Sequence, residues 1–211
     1  MGTRGAIGFI MNEEEKITYN HWDSYPEALG NGILNFLNTT NIEDLGEKVK
    51  NIQMINEDSK PSPHQIQRCI NNLTINLEVG DQSQEDWYCL LREAQGDLNK
   101  YCQVGMMIDN KEFLEESLFC EWAYIVNLDT KKLEVYKGFN KNKDGKGRYA
   151  NLQSEHVHQP SEYYGVVLLF ELDLYDLPDK FEEEYNEDTE QSILHLKYNE
   201  EWKNKTIDLD K

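Results

Sequence analysis

The chain has 211 residues, 38% of them hydrophobic, which indicates one globular domain with a core of its own and excludes wholesale disorder. Its 40 acidic residues outnumber the 21 basic ones, and the formal net charge of -19 disfavours nonspecific binding to nucleic acid or to an anionic membrane. The charge excess has two interpretations: colloidal repulsion that keeps the protein in solution, or carboxylates presented to a basic protein surface.

The sequence also bears on compartment and cofactors. It opens with no secretory-type leader and has no apolar run long enough to span a bilayer. The cysteines Cys69, Cys89, Cys102 and Cys120 form no C-x-x-C pair and lie in apolar patterns, which is typical of buried free thiols in a reducing compartment. Glycine-rich phosphate loops and zinc-protease motifs are absent from the sequence. We therefore expect a cytoplasmic protein without a cofactor.

The predicted secondary structure begins within a few residues of Met1. Apolar alternation predicts strands at residues 4–10 and 16–20, joined by a polar turn at residues 12–15. Ser24-x-x-Glu27 then has the spacing of a capping box and predicts a helix that begins there. Gly30 and Gly32 weaken that helix, so we expect another backbone or a ligand to approach closely at these glycines.

The middle of the chain, from about residue 40 to residue 118, has mostly helical periodicity. Apolar residues recur at helical spacing in residues 42–52 and 66–73. Ser83-x-x-Asp86 predicts another helix start, and Gly105 predicts the end of a short helix that begins near Asp97.

The pattern then changes to strands. Residues 119–128 and 133–139 predict a hairpin, and residues 164–172 form an apolar run typical of a strand covered on both faces. The acidic segment that runs to Glu190 is expected to be an exposed helix. We predict one α+β domain over residues 1–211, with a mainly antiparallel sheet that pairs the first strand with residues 119–128 and 164–172.

A candidate ligand site lies near the first strand. Arg4 can bind a carboxylate or phosphate with two hydrogen bonds, and His21, Asp23 and Tyr25 form a dense polar and aromatic cluster. We predict that these four residues border a pocket for a small polar ligand. The alternative is structural: an Arg4–Asp23 salt bridge, with Ser24 acting only as a helix cap.

Two further charged features have open interpretations. Glu121 stands in an apolar strand, so it is either a buried partner of Arg4 or a residue on the solvent face. A basic cluster is a candidate anion site or a solvated hairpin tip, and its members are Lys141, Lys143, Lys146 and Arg148.

Two weak metal patterns do not lead to a predicted metal site. Asn140-x-Asn142-x-Asp144-Gly145 lacks the acidic twelfth position of a calcium loop, where Asn151 stands. His156 and His158 share one face of an extended segment, but no third ligand is evident nearby.

Two segments resemble an uncharacterised family of bacterial and phage proteins: Thr3-Arg4-Gly5 through Tyr19-Asn20-His21-Trp22-Asp23-Ser24-Tyr25-Pro26, and Phe119-Cys120-Glu121-Trp122-Ala123-Tyr124. The resemblance extends through Gln95-Gly96-Asp97-Leu98 and Leu133-Glu134-Val135-Tyr136. It implies no particular activity, and it makes a mobile-element context an expectation.

The first strand and residues 122–136 are also similar, more weakly, to N-terminal-nucleophile hydrolases, including glutamine amidotransferase domains. In that family the first residue of the mature chain is the nucleophile. Gly2 would follow Met1 here, so the resemblance implies catalysis only if both are removed and Thr3 becomes the first residue. We expect a small-polar-ligand protein of this fold type. The alternative is an acidic, non-enzymatic phage or mobile-element protein that inhibits a host or defence factor by covering its basic surface.

Overall fold

A computed structural model describes residues 2–75, 83, 85–153, 160, 162–187 and 189–210. Within these residues the fold is mixed α+β. The strands are β1 (Gly5–Met11), β2 (Glu14–Asn20), β3 (Gln53–Ile55), β4 (Met106–Ile108), β5 (Trp122–Asn127), β6 (Lys132–Lys137), β7 (Val167–Asp173), β8 (Lys180–Asn186), β9 (Gln191–Lys197) and β10 (Lys205–Asp208). The α-helices are α1 (Asn31–Asn38), α2 (Ile42–Lys50), α3 (Pro63–Asn72), α4 (Trp87–Leu91) and α5 (Leu98–Val104).

The largest sheet has five strands in the order β2-β1-β5-β6-β7. β1 pairs antiparallel with β2 and parallel with β5, and the remaining pairs are antiparallel. Glycines allow the close approach around β1: a Cβ on Gly5 would lie 2.3 Å from the carbonyl oxygen of Trp122, and a Cβ on Gly8 would lie 2.2 Å from that of Lys16. The prediction that the first strand shares a sheet with residues 119–128 and 164–172 is confirmed.

The β1–β2 hairpin turns on two residues rather than the predicted four. Asn12 and Glu13 both adopt positive φ angles, of 54° and 62°, which is the geometry that tight hairpins require. Both of their backbone N–H groups donate to the carboxylate of Asp129, at 2.8 and 2.9 Å. A side chain from the β5–β6 connection therefore holds the tip of the first hairpin.

Both faces of the central strands are buried. Ile7 and Phe9 of β1 face the core that the helices and the C-terminal strands cover, whereas Ala6 and Ile10 face a second cluster with Leu114. Burial on both faces is the reason for the nearly continuous apolar sequence of β1 and β5. β7 is different: it is an edge strand and mostly only partly buried, so the prediction that it is covered on both faces is wrong.

Within its described residues, the middle of the chain contains the helices α2 to α5, with one addition to the prediction; residues 76–82 and 84 of that range lie outside the described residues. Side chains cap the helices at Asn41, Ser62, Asp86 and Asp97, and Gly105 ends α5 with a φ of 64°. The addition is a short parallel pair of β3 and β4 between the helices. Three-residue strands are too short to produce a readable alternation in the sequence.

The segment after β2 differs from its predicted capping box. A wide helical turn begins at Pro26 and leads into α1, while Ser24 is fully buried and caps no helix. Its hydroxyl accepts a hydrogen bond of 2.8 Å from the side-chain amide of Asn20. Gly30 is a point of close approach, because a Cβ there would lie 2.9 Å from the ring of Phe181, but Gly32 has open space around it.

The acidic C-terminal segment is a second sheet and not a helix, which corrects the prediction for this region. β8, β9 and β10 form an antiparallel sheet in the order β10-β9-β8. Phe181, Leu194 and Leu196 bury its inner face in the main core. On the outer face, the carboxylate of Glu184 lies 2.9 Å from His195. Lys197 also lies 3.5 Å from Glu182 across the same two strands, so polar and charged side chains pair on the outer face of a strand with one buried apolar residue.

None of the helices in the described part of the chain has the length and apolarity that crossing a bilayer requires.

Candidate functional site

A cavity of about 510 Å³ lies where three strand ends meet, and it is lined by Gly2, Thr3, Arg4, His21, Trp22 and Glu121. Strand register brings these residues together: Gly5 at the start of β1 is paired with Asn20 at the end of β2 and with Trp122 at the start of β5. The residues that immediately precede β1, follow β2 and precede β5 are therefore neighbours. Two backbone hydrogen bonds extend the pairing, from Ser24 to Thr3 and from Glu121 to Arg4, each at 3.0 Å.

Arg4 supplies the positive charge of this cavity. Its guanidinium carbon lies 4.9 Å from the ring centroid of Phe119, in cation–π geometry. In the described ranges no ion pair joins Arg4 to a carboxylate, either that of Asp23 or that of Glu121. The salt bridge of the structural alternative is thus not formed, and the guanidinium keeps its capacity to bind an anion.

Tyr19 orients His21, and sequence reasoning did not single it out. The Tyr19 hydroxyl lies 2.7 Å from Nδ1 of His21, and the two rings meet edge to face. Burial raises the pKa of Tyr19, while the charge and hydrogen bonding of Arg4 oppose that rise. Tyr19 therefore stays neutral and can donate its proton to Nδ1. The signal was the i, i+2 spacing at the end of β2, which places Tyr19 and His21 on one face of the strand.

Trp22 forms the outer wall of the cavity. Its indole lies edge to face with the His21 imidazole, with ring centroids 4.1 Å apart, and it is 54% exposed. A Cβ on Gly2 would lie 2.8 Å from the indole, so only glycine fits beside it without a shift. Trp22 thus presents a large apolar surface next to the charged groups.

Asp23 and Tyr25 lie outside the lining of this cavity. Asp23 has a φ of 47°, and its carbonyl accepts a hydrogen bond from the backbone N–H of Leu29. The Tyr25 carbonyl accepts one from Ala28, and the side chain of Tyr25 is 37% exposed. Of the four predicted ligand-binding residues, the structure brings Arg4 and His21 together and places the other two in the turn that follows.

Thr3 lines the cavity, which is where a nucleophile that acts on a bound ligand would have to lie. Its carbonyl is fixed by Ser24, but its nitrogen is part of the peptide bond to Gly2. A peptide nitrogen is not a base, so Thr3 has no amine of its own to activate its hydroxyl in the chain as it stands.

Glu121 lies at the cavity with its side chain partly buried and its backbone bound to Arg4. This placement lies between the two interpretations of the sequence, since the residue is neither on the open solvent face nor ion-paired with Arg4 within the described residues. The cavity therefore carries one guanidinium, one imidazole and one carboxylate.

The basic cluster of residues 141–148 is not a free anion site. Lys141 pairs with Glu162 at 2.9 Å, and Arg148 pairs with Glu134 at 2.6 Å. Glu134 is almost completely buried and also accepts hydrogen bonds from Asn127 and from the Tyr136 hydroxyl, at 2.7 and 2.6 Å. Arg148 therefore connects an exposed segment to a buried polar network on the sheet.

Of the two weak metal patterns, one lies within the described residues. Asn140 is buried and donates its side-chain amide to the carbonyls of Ala150 and Gly165, so it closes a loop rather than facing a cation. His156 and His158 lie outside the described residues. Among the residues that are described, no group of three or more His, Cys, Asp or Glu side chains could hold a metal ion.

The cysteines are free thiols, as the sequence predicts. Burial raises the pKa of Cys69 to about 11 and that of Cys102 to about 12, and it also raises the pKa of Cys89 and Cys120. A thiol with a raised pKa is protonated at neutral pH and is a poor nucleophile. The cysteines therefore act as small core residues.

The geometry of the cavity is thus the main guide to function. An N-terminal-nucleophile-type fold is not confirmed, and both resemblances stated from the sequence stay predictions. Comparison of the chain with models of known protein families, with curated proteins and with solved structures finds no match.

Proposed function

We propose that this protein binds a small polar ligand with an anionic group in the cavity that Thr3, Arg4, His21, Trp22 and Glu121 line. One observation carries the proposal: Arg4 has no ionic partner among the described residues, in a chain with 40 acidic residues. The guanidinium contacts the Phe119 ring and hydrogen-bonds Tyr19, but neither group supplies a compensating negative charge for this partly buried cation. A bound carboxylate or phosphate would supply that compensation.

The other lining residues fit such a ligand. The planar fork of Arg4 matches a carboxylate with two hydrogen bonds. His21, held at Nδ1 by Tyr19, offers its Nε2 to a second polar group, and Glu121 accepts from an N–H or O–H donor. Trp22 covers the apolar part. A cavity of about 510 Å³ is within the range of small-molecule sites.

A more specific version of this proposal is that the protein hydrolyses its ligand by an N-terminal-nucleophile mechanism. It requires removal of Met1 and Gly2, after which the Thr3 amine would be the base and its hydroxyl the nucleophile. The intact mass of the purified protein tests this form directly. A mass that includes Gly2 removes it and leaves ligand binding as the function.

Titration of ¹⁵N-labelled protein tests the binding proposal, with L-glutamate, L-glutamine and inorganic phosphate as probes. We expect saturable amide shifts confined to residues 2–4, 21–22 and 121 for at least one probe. Amide shifts confined to other residues, or no amide shifts at millimolar concentrations of all three probes, would overturn the proposal.

A second candidate is an acidic interaction protein that covers a basic partner surface, and one observation favours it. The backbone N–H of Glu183 donates to Glu27 at 2.8 Å, which draws two carboxylates together at the rim of β8. The pKa of Glu183 is raised by desolvation and by the charges of Glu27 and Asp210, against an opposing effect of Lys137. This cluster would gain from a cationic partner.

A salt series separates the two candidates. Steering by surface charge is screened over about 8 Å at physiological ionic strength, so binding through the acidic cluster should slow steeply with added salt. Neutralising Glu27 and Glu183 to glutamine should reproduce that loss, and Arg4→Gln should not. The ligand-site proposal expects the reverse ranking of the variants.

A further inference from the structure

A second cavity also has Trp22 in its lining. Its volume is about 520 Å³, and its lining consists of Trp22, Thr74, Cys89, Arg92, Glu93 and Gln95. Trp22 is the residue that the two cavities share. The indole therefore lines both cavities. It also contacts the His21 ring in an edge-to-face arrangement.

The two charged residues of the second cavity, Arg92 and Glu93, differ in their partners. Glu93 is already engaged: Lys100 lies 2.9 Å from its carboxylate, and the backbone N–H of Thr74 donates to the same group. These contacts lower the pKa of Glu93. Arg92 has no ion pair with a described residue and only a distant contact, of 5.9 Å, with the ring of Tyr88. Among the described residues, Arg92 is thus the charged group of this cavity that no carboxylate neutralises.

Trp22 adds an aromatic surface to that charge. A flat heteroaromatic ring can stack on the Trp22 indole, and the stacking energy depends little on which ring it is. Thr74 and Gln95 add neutral groups of the kind that hydrogen-bond the edges of such rings, since an amide side chain both donates and accepts.

We infer that Trp22 and Arg92 form a binding site for a flat-ring anion of the nucleoside phosphate class, with the ring against the indole and the phosphate at the guanidinium. The site goes beyond the proposed ligand cavity, because it uses Arg92 and does not use Arg4. Phosphate suits Arg92 because a guanidinium binds two phosphate oxygens at once. The two sites meet at Trp22.

Calorimetric titration with AMP, adenosine and inorganic phosphate tests this inference on the intact protein. We expect AMP to bind more tightly than either adenosine or phosphate. Arg92→Gln should weaken AMP binding about tenfold or more, the equivalent of a charge-assisted hydrogen bond, and leave adenosine binding unchanged. Trp22→Leu should weaken both nucleoside ligands and leave phosphate binding unchanged.

Two controls keep the test decisive. Arg68→Gln alters an arginine that lines neither cavity and should leave AMP binding unchanged. Arg4→Gln should also leave it unchanged, so failure of the ligand-cavity proposal and failure of this one are distinguishable. The phosphate arm is measured in the Arg4→Gln protein, in which the first cavity has lost its guanidinium. Phosphate binding as tightly as AMP in that protein, an Arg92→Gln variant with wild-type affinity for AMP, or no AMP binding at millimolar concentration would overturn the inference. Thermal unfolding of each variant confirms that it is folded.

Discussion

The Tyr19 hydroxyl lies 2.7 Å from Nδ1 of His21, and this contact connects the end of β2 to the candidate ligand cavity. Because burial raises the pKa of Tyr19, the phenol stays protonated, and we assign it as the donor to Nδ1. The proton of that imidazole is then on Nε2, the nitrogen that the contact leaves unused. Tyr19 is accordingly a positioning residue, which acts through His21.

Tyr19→Phe should change the tautomer balance of His21. Without the hydroxyl, Nδ1 loses its donor, and the nitrogen shifts of the neutral ring should move from the Nε2–H form toward a mixture. Loss of one hydrogen bond should cost about 1 kcal/mol of unfolding free energy. Histidine ¹⁵N spectra of the two proteins, recorded in alkaline solution, measure the change. Tyr25→Phe is the matched control, and equal spectra for wild type and Tyr19→Phe would contradict the assignment.

Glu134→Gln should destabilise the protein by about 2–3 kcal/mol, because a buried carboxylate with several charge-assisted hydrogen bonds is replaced by a neutral amide. The side chain of Glu134 is 3% exposed and that of Arg148 is 39% exposed, so part of the cost is relieved by solvent around Arg148. Urea unfolding measures the difference. Glu162→Gln breaks the exposed pair with Lys141 and should cost less than about 1 kcal/mol. Equal costs for the two variants would show that the buried network contributes nothing specific.

Stability should fall in alkaline solution. Burial raises the pKa of Tyr101, Tyr124, Tyr136 and Tyr149 in the folded protein. These tyrosines have a higher pKa in the folded protein than in the unfolded protein, where it is about 10. The stability that they contribute is therefore complete below about pH 10 and is lost as the pH rises above it. Each such tyrosine should add a slope of about 1.4 kcal/mol per pH unit. Denaturant unfolding across that range measures the slope, and Tyr149→Phe should reduce it. Normal ionisation of all tyrosines without unfolding would contradict the prediction.

Glu13→Gly should stabilise the first hairpin. Glu13 has a φ of 62°, where a side chain costs about 1 kcal/mol and glycine costs little. Its N–H bond to Asp129 does not depend on the side chain. Glu14→Gly, one residue later in β2, should instead destabilise the strand by about 0.5–1 kcal/mol. Thermal or urea unfolding of the two variants should therefore give opposite signs, and the same sign for both would contradict the turn geometry.

The fold was predictable where short apolar segments stand between polar turns. β1 and β5 were expected near their observed bounds because their sequences are almost continuously apolar, and β2 and β6 because a polar turn joins each of them to one of those strands. β8 was missed, since Phe181 is its only buried apolar residue and its carboxylates are paired with β9 across the sheet. Such pairing depends on register between strands, which a local pattern does not contain.

The site was predictable only in part, for a similar reason. Arg4 and His21 stood out as charged and polar groups at strand ends, and the register of β1 with β2 brings them to one cavity. Glu134 was not expected in a buried network, because its partners Asn127 and Arg148 come from another strand and a distant loop. Trp22 was read as part of a polar cluster, whereas its role as the wall of two cavities depends on the fold.

One measurement tests the central claim most directly: the affinity of Arg4→Gln for the small carboxylate or phosphate probe that shifts the cavity residues of the wild-type protein. We predict a loss of about tenfold or more in affinity, the equivalent of a charge-assisted hydrogen bond, with an unfolding free energy close to that of wild type. Arg68→Gln, at an arginine outside the cavity, should keep full affinity. An Arg4→Gln protein that is folded and binds the probe as tightly as wild type would contradict the account.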